Sequence, residues 1–380
     1  MELQEIKQSK VAKPNRILAI DLARGISVLM VILVHTLWIY GNITTQAETW
    51  LGEAIHFIGK GTPMFLIAMG VSFTLSRNQS IKLSIKRAFY ILILGYLMNF
   101  LKFVLPVLVG IIPDNFIEAY GWTAPATIDN MLYMLKTGDI LQLAGVSLLF
   151  MGIINRFSTN KYIPLVIAMC IAMLTKAVHG FQVGVIGIDY LLDLLWGSGW
   201  NVYFAVFPWF SFILIGMFFG MWYKENLNNT RDMFEKMGVA GIALMVIGGG
   251  LCYSNFEYHF GDYFHLGPGG SLYLAGFNLV LLWLADVLVT KVKENRVFTF
   301  FYYCSKRVTT IYIIQWVLIC WGMGILGYQQ FGVVGVLLLI PLFTLLTLGV
   351  QRLLLDRVMF KKGSQKHIFS GKKQIVISKT

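Results

Sequence analysis

The chain has 380 residues, 57% of them hydrophobic and only 13% charged, with a mean hydropathy of +0.69 and a formal net charge of +12. Soluble domains carry roughly 25% charged and about 45–50% apolar residues, and a soluble core cannot absorb the excess found here. A soluble enzyme is thereby excluded, and the basic excess has to be judged from its distribution along the chain. The chain reads as all-α, a polytopic membrane helix bundle.

A spanning helix needs about 20 mostly apolar residues. About ten segments meet that need: 17–40, 51–76, 85–109, 139–156, 162–180, 202–223, 238–254, 271–290, 303–326 and 332–355. Of these, 139–156 and 162–180 are short. The organisation is a basic tail over 1–16, a transmembrane domain over 17–356 and a second basic tail over 357–380. The first apolar run is too long for a cleavable signal peptide and has no small-residue cleavage site. It is expected to act as its own insertion signal, and without a targeting segment the expected location is a bacterial inner membrane.

Basic residues gather on alternate loops: Lys7 to Arg16, Arg77 to Arg87, Arg156 with Lys161, Lys224 to Lys236, Lys291 to Arg296, and the C-terminal run from Arg352. The intervening loops hold Lys136 and Lys176 among mostly acidic residues. By the positive-inside rule, both termini are expected to be cytoplasmic. The +12 is then a signature of topology facing lipid headgroups, and no nucleic-acid partner is expected. Cys170, Cys252, Cys304 and Cys320 are scattered, with neither metal-ligand spacing nor a disulfide framework. No metal is expected. Three outward loops exceed simple turns. Residues 110–138 and 181–201 suit the membrane interface, and 255–270 is rich in aromatics, acids and histidines. Its composition suits either an interfacial belt or a polar substrate such as a sugar.

Ionisable residues inside spans are costly and point to function. The first span contains Asp21, Arg24 and His35. Eleven residues turn a helix by about 20° net and rise about 16 Å, so Arg24 and His35 share a face. Asp21 lies within ion-pair reach of Arg24. Glu53, His56 and Lys60 follow at i, i+3 and i+7, on one face of the second span. Equal depth in a helical hairpin puts His56 level with His35. Gly59, Gly61 and Pro63 are expected to kink the second span just below them. Imidazoles titrate near neutral pH and suit general acid–base work. Asn99, Lys102, Gln142 and Gln315 are further polar positions within spans, and Lys306 and Arg307 sit at the cytoplasmic mouth of the ninth. Interhelical hydrogen bonds explain each of them singly. Together they outline a polar route.

The run Arg16-Ile-Leu-Ala-Ile-Asp21-Leu-Ala-Arg24-Gly25, with Met30 and His35, resembles the first helix of the transmembrane acyltransferase superfamily. The Arg24–His35 spacing is similar to that of type-3 acyltransferases. The remaining motifs are closer to heparan-α-glucosaminide N-acetyltransferase-like proteins. They are Gly61-Thr-Pro63-Met-Phe65 to Gly70, Lys86-Arg87 to Asn99, Asp139-Ile-Leu-Gln142 to Gly145, Phe207-Pro208-Trp209 to Gly220, and Ser305 to Trp316. The resemblance covers roughly residues 16–320.

It implies an integral membrane acyltransferase moving an acetyl group from cytoplasmic acetyl-CoA to an extracytoplasmic acceptor, a carbohydrate hydroxyl or amine. Arg24, Lys86, Arg87, Lys306 and Arg307 would hold the CoA phosphates, since guanidinium and ammonium groups suit phosphate. Asp21 would orient Arg24. His35 would deprotonate the acceptor. The heparan-type histidine lies near the second helix, so His56 competes with His35 for that role. Glu53, Lys60, Asn99, Lys102, Gln142 and Gln315 are the candidates for acceptor binding. The competing class is a multi-pass transporter or permease of a small polar solute, which buried charges across ten spans would also fit.

Overall fold

The computed structural model describes residues 16–356 except Asn78, and the tails 1–15 and 357–380 lie outside it. Among the described residues the regular elements are helical. They are α1 (Leu18–Tyr40), α2 (Ile43–Ala47), α3 (Trp50–Gly59), α4 (Thr62–Leu75), α5 (Ile81–Asn99), α6 (Leu105–Leu108), α7 (Asp114–Glu118), α8 (Ile128–Leu135) and α9 (Ile140–Phe157). The second half supplies α10 (Tyr162–Val178), α11 (Ile186–Trp196), α12 (Val206–Glu225), α13 (Thr230–Ser254), α14 (Phe256–Phe260), α15 (Pro268–Lys291), α16 (Arg296–Ser305), α17 (Val308–Leu326) and α18 (Val333–Val350). Nine stretches of the described chain are long and apolar enough to cross a membrane. The tenth expected span, α10, has 17 residues and is the shortest. The protein is a multi-pass helical membrane protein.

At the centre stands α1, packed by α3, α4 and α15 to α18. Fifteen of its residues are buried, from Ala19 near one end to Tyr40 at the other. A helix buried all round needs no amphipathic stripe, and this one is apolar on nearly every face. Beside it, α4 and α12 pack backbone to backbone. A Cβ at Gly70 would run into the Ile213 carbonyl, and one at Gly216 into that of Ile67. Without side chains at these two positions the backbones touch, the small-residue packing of membrane interiors. A second pair, α13 with α15, closes the far side.

Two interruptions shape the interior. Between α3 and α4 the chain breaks at Gly59–Gly61, as Pro63 just after it leads one to expect. The polar backbone freed there is satisfied within the protein. Asn278 of α15 donates to the Lys60 carbonyl at 3.0 Å and accepts from the Met64 amide at 3.0 Å. Tyr263 donates to the Gly59 carbonyl at 2.9 Å. The second interruption widens α5 into a π-helical turn over Phe100–Val104. Pro106, four residues after Lys102, has no amide hydrogen for the Lys102 carbonyl. Trp321 covers the turn by donating to the Leu101 carbonyl at 2.8 Å. Such bulges recur at functional sites, and this one carries Lys102.

Candidate active site

Arg24 and His35 both line a cavity of about 1540 Å³ that runs through the bundle. One end is formed by Arg24, Ser72, Ser76, Arg87 and Thr309, the other by Tyr120, Trp122, Tyr133, Trp200 and Gln329. His35, Lys102, Asp139 and Tyr312 lie on the wall between. A site for one small ligand measures about 300–1,000 Å³. This cavity has room for two.

His35 is 94% buried and firmly held. Its Nδ1 faces the Gln315 carboxamide, with Oε1 at 3.1 Å and Nε2 at 2.9 Å. A carboxamide donates or accepts, so Gln315 supports either tautomer of the imidazole. Trp316 stacks on the ring at 3.6 Å between centroids. The indole N–H of Trp316 donates to the Tyr312 hydroxyl at 2.9 Å, which donates to Asp139 Oδ1 at 2.7 Å. The Lys102 ammonium donates to Asp139 Oδ2 at 2.8 Å and lies 4.3 Å from the Trp316 ring centroid. One connected network therefore runs from imidazole to ion pair.

Lys102 and Asp139 expose 1% and 3% of their side chains. Burying two charges costs more than a surface bridge returns unless every lone pair and proton is served. Asp139 is so served, because it also caps α9 and takes the Ile140 amide at 2.7 Å. The geometry of His35 is fixed before any ligand arrives.

The second-span triad does not stay together. His56 and Lys60 line the cavity, but Glu53 is exposed and outside it. Leu51 and Ile55 form the buried face of α3, against Val34, Leu37 and Val336. The helix ends at Gly59, so Lys60 no longer follows the arc of Glu53 and His56. Lys60 points its ammonium at the Phe260 ring, 5.4 Å from the centroid.

At the cationic end only two of the five expected phosphate-binding residues reach the cavity, Arg24 and Arg87. Arg24 Nε is buried with no hydrogen-bond partner, which leaves a donor for an anionic ligand. Lys86 and Lys306 are exposed outside the cavity. Arg307 is engaged elsewhere, donating to Asp356 at 2.7 Å. Asp21 does not form the expected pair with Arg24. It takes Arg16 instead, together with the Ser305 hydroxyl at 2.9 Å, because the first turn of α1 faces α16.

Two polar span residues serve the framework. Asn99 donates to the carbonyls of Leu135 and Thr137 at 3.0 and 2.7 Å, fastening α8 to the π turn. Gln142 closes the α9 cap by accepting from the Asp139 amide at 3.2 Å. Neither lines the cavity.

The aromatic end is built from loops. Tyr120 and Trp122 stack at 4.7 Å, and Trp122 meets Tyr133 edge-on at 5.3 Å. Burial pushes the Tyr120 hydroxyl up, and that of Tyr203 up to about 12, so both stay neutral. The 261–267 loop roofs this end through Phe264, whose ring meets Trp38 at 5.9 Å and Tyr203 at 5.3 Å. Asp262 and His265 brace the loop at 2.7 Å, with His179 packed on His265 at 4.8 Å between ring centroids.

Asp139, Tyr312 and Trp316 were not among the expected site residues. Asp139 reads as an ordinary helix cap, and the Tyr312–Trp316 step reads as core. A capping aspartate one residue before a buried span is the signal that was available.

The described helices form a multi-pass bundle around a chamber lined by Arg24, Arg87 and His35. The family model for the catalytic domain of heparan-alpha-glucosaminide N-acetyltransferase matches residues 16–253. The chain belongs to this family and is a membrane acetyltransferase. No curated protein matches it individually. The matched region contains Arg24, His35, His56, Lys102 and Asp139, while Tyr312, Gln315 and Trp316 lie beyond it.

Proposed function

We propose that the cavity is a transfer chamber in which an acetyl group passes from acetyl-CoA to a carbohydrate on the opposite side of the membrane. The observation that carries this is that one cavity joins an arginine-lined end, His35 and an aromatic end. Acetyl-CoA supplies an activated thioester when bound. Arg24, with its unpartnered Nε, and Arg87 would hold its phosphates as charge-assisted donors. The rise of about 16 Å from Arg24 to His35 is of the order of a pantetheine arm.

His35 is the base in this reading. Gln315 holds Nδ1 and Trp316 holds the ring plane, which leaves Nε2 to take the acceptor's proton. Trp122, Tyr120 and Phe264 offer flat faces and Tyr203 a hydroxyl, a suitable lining for a sugar. His56 is placed as a wall residue and Lys102 as a positioning residue acting through Asp139 and Trp316. Alternation of basic loops supports the arginine end facing the cytoplasm, with both termini there. A bacterial inner membrane is the location that fits this sidedness.

Purified protein tests the proposal directly. CoA and acetyl-CoA are expected to raise its thermal midpoint, and acetyl-CoA is expected to be consumed in the presence of membrane glycans. Absence of both effects overturns the reading of this cavity as an acetyl-CoA transfer chamber.

A further inference from the structure

The cavity reaches further round α1 than the path from Arg24 to His35 requires. Ile26 and Met30 also line it. At about 100° per residue, each lies at least about 120° around the helix from both Arg24 and His35. The same cavity touches Phe277 and Leu281, four residues apart on α15, and Phe57 of α3. Phe57 and Phe277 meet edge-on at 5.7 Å between ring centroids. All five side chains are apolar, so this side arm offers no partner to a phosphate or a free sugar.

The arm gives onto lipid. At 1.5 Å per residue, Ile26, Met30, Phe277 and Leu281 lie within about 5 Å of the middle of their own spans. The hydrocarbon core extends about 15 Å to either side of the bilayer centre. Phe57 is 57% exposed and shares a helical stripe with Glu53, which is exposed outside the cavity. On α15 the Phe277–Leu281 stripe continues to Leu284, which is 46% exposed and also outside it. An opening between these two edges admits a hydrocarbon chain. The donor brings none, because the chain is an acetyltransferase and a two-carbon acyl group ends at the thioester. His35 lies about 9 Å from the middle of α1, on the side of the aromatic end. A lipid with its tail in the arm would therefore present its head group to His35, with the aromatic end beyond.

We infer that the acceptor glycan is carried on a membrane lipid whose hydrocarbon chain lies in this arm; this rests on the acyltransfer reading above. The acceptor's amine or hydroxyl forms a bond to the thioester carbonyl carbon and the carbon–sulfur bond breaks. His35 takes the acceptor's proton and passes it to the departing thiolate, giving the acetylated head group and free CoA thiol.

The test uses membranes containing the full chain and radiolabelled acetyl-CoA. Label above a His35→Ala control is partitioned between chloroform–methanol and water. Nearly all of it is expected in the lipid extract. Predominantly water-soluble label overturns the lipid assignment while leaving an acetyltransferase. No label above the control overturns the acyltransfer reading itself, and the inference with it. Faster transfer from octanoyl-CoA than from acetyl-CoA would give the arm to the donor's chain and overturn the assignment. Leu281→Trp fills the arm and is expected to raise the KM for a membrane lipid extract about tenfold, the scale of overfilling an apolar site, with the KM for acetyl-CoA unchanged. An unchanged acceptor KM contradicts the role of the arm. Should that variant not fold, the partition of the wild-type label still decides the question.

Discussion

The middle and the cationic end of the cavity treat their charges in opposite ways. In the middle, Lys102 and Asp139 are buried, paired and hydrogen-bonded, and they connect through Tyr312 and Trp316 to His35. At the cationic end, the buried Nε of half-buried Arg24 is an unserved donor, and among the described residues Arg87 reaches only Ser76, at 3.4 Å. A satisfied network sets geometry, whereas an unsatisfied one awaits a ligand. The contrast separates residues that position the chemistry from residues that bind substrate.

Replacing His35 should break the contrast at its most sensitive point. His35→Ala is expected to lower kcat by about 10²–10⁴-fold, the range for a general base. His56→Ala should cost less than about tenfold, because His56 lies on the wall outside the network. Steady-state acetyl transfer by the two variants measures this. Equal losses would return the two histidines to an even choice.

Asp139→Ala probes the middle by stability. It strands a buried ammonium, so a loss of about 3–5 kcal/mol is expected. Combining it with Lys102→Met should recover much of that loss, since an apolar pair carries no desolvation penalty. Thermal midpoints in detergent report both variants. A single-variant loss under about 1 kcal/mol would mean that the pair behaves like an exposed bridge.

The cationic end should respond in affinity. Arg24→Gln is expected to raise the KM for acetyl-CoA by about 10–100-fold, equivalent to about 1.5–3 kcal/mol for a charged hydrogen bond. Lys306→Gln should leave KM unchanged, because Lys306 lies outside the cavity. Matched effects would place the phosphates on the surface and not in the chamber.

The smallest expected effect lies in the roof loop. Burial works against the Asp262 charge, but the hydrogen bond and charge of His265 outweigh it and hold the carboxyl down at about 2. A lowered carboxylate adds stability above its unfolded value of about 3.9, and that stability is lost as the pH falls from about 4 towards 2. Half the Asp262 side chain is exposed, so screening limits the contribution to about 1 kcal/mol or less. The difference in thermal midpoint between wild type and Asp262→Asn should shrink over that acidic range. A difference independent of pH would assign the effect to packing.

Much of the framework is legible in the sequence because it depends on local composition. The apolar runs each became helices, the Gly59–Pro63 break fell as expected, and the eleven-residue step brought Arg24 and His35 to one cavity. What failed depended on partners distant in the chain or on where a helix stops. Lys102 and Asp139 are 37 positions apart, and only the π turn and the α9 cap bring them together. Glu53 was misplaced because it sits in the first turn of α3, a turn away from the cavity-lining His56. Asp21 chose Arg16 and Ser305 over Arg24 because tertiary packing, and not i to i+3 spacing, decides the partner.

Transfer across the bilayer is the claim on which the account stands, and sealed vesicles test it most directly. Labelled acetyl-CoA is supplied on the cytoplasmic face only, and label on glycans of the opposite face is measured for wild type and His35→Ala. The account predicts label on the opposite face with wild type and at least about a hundredfold less with the variant. Equal labelling by the two proteins, or label confined to the face of supply, would contradict it.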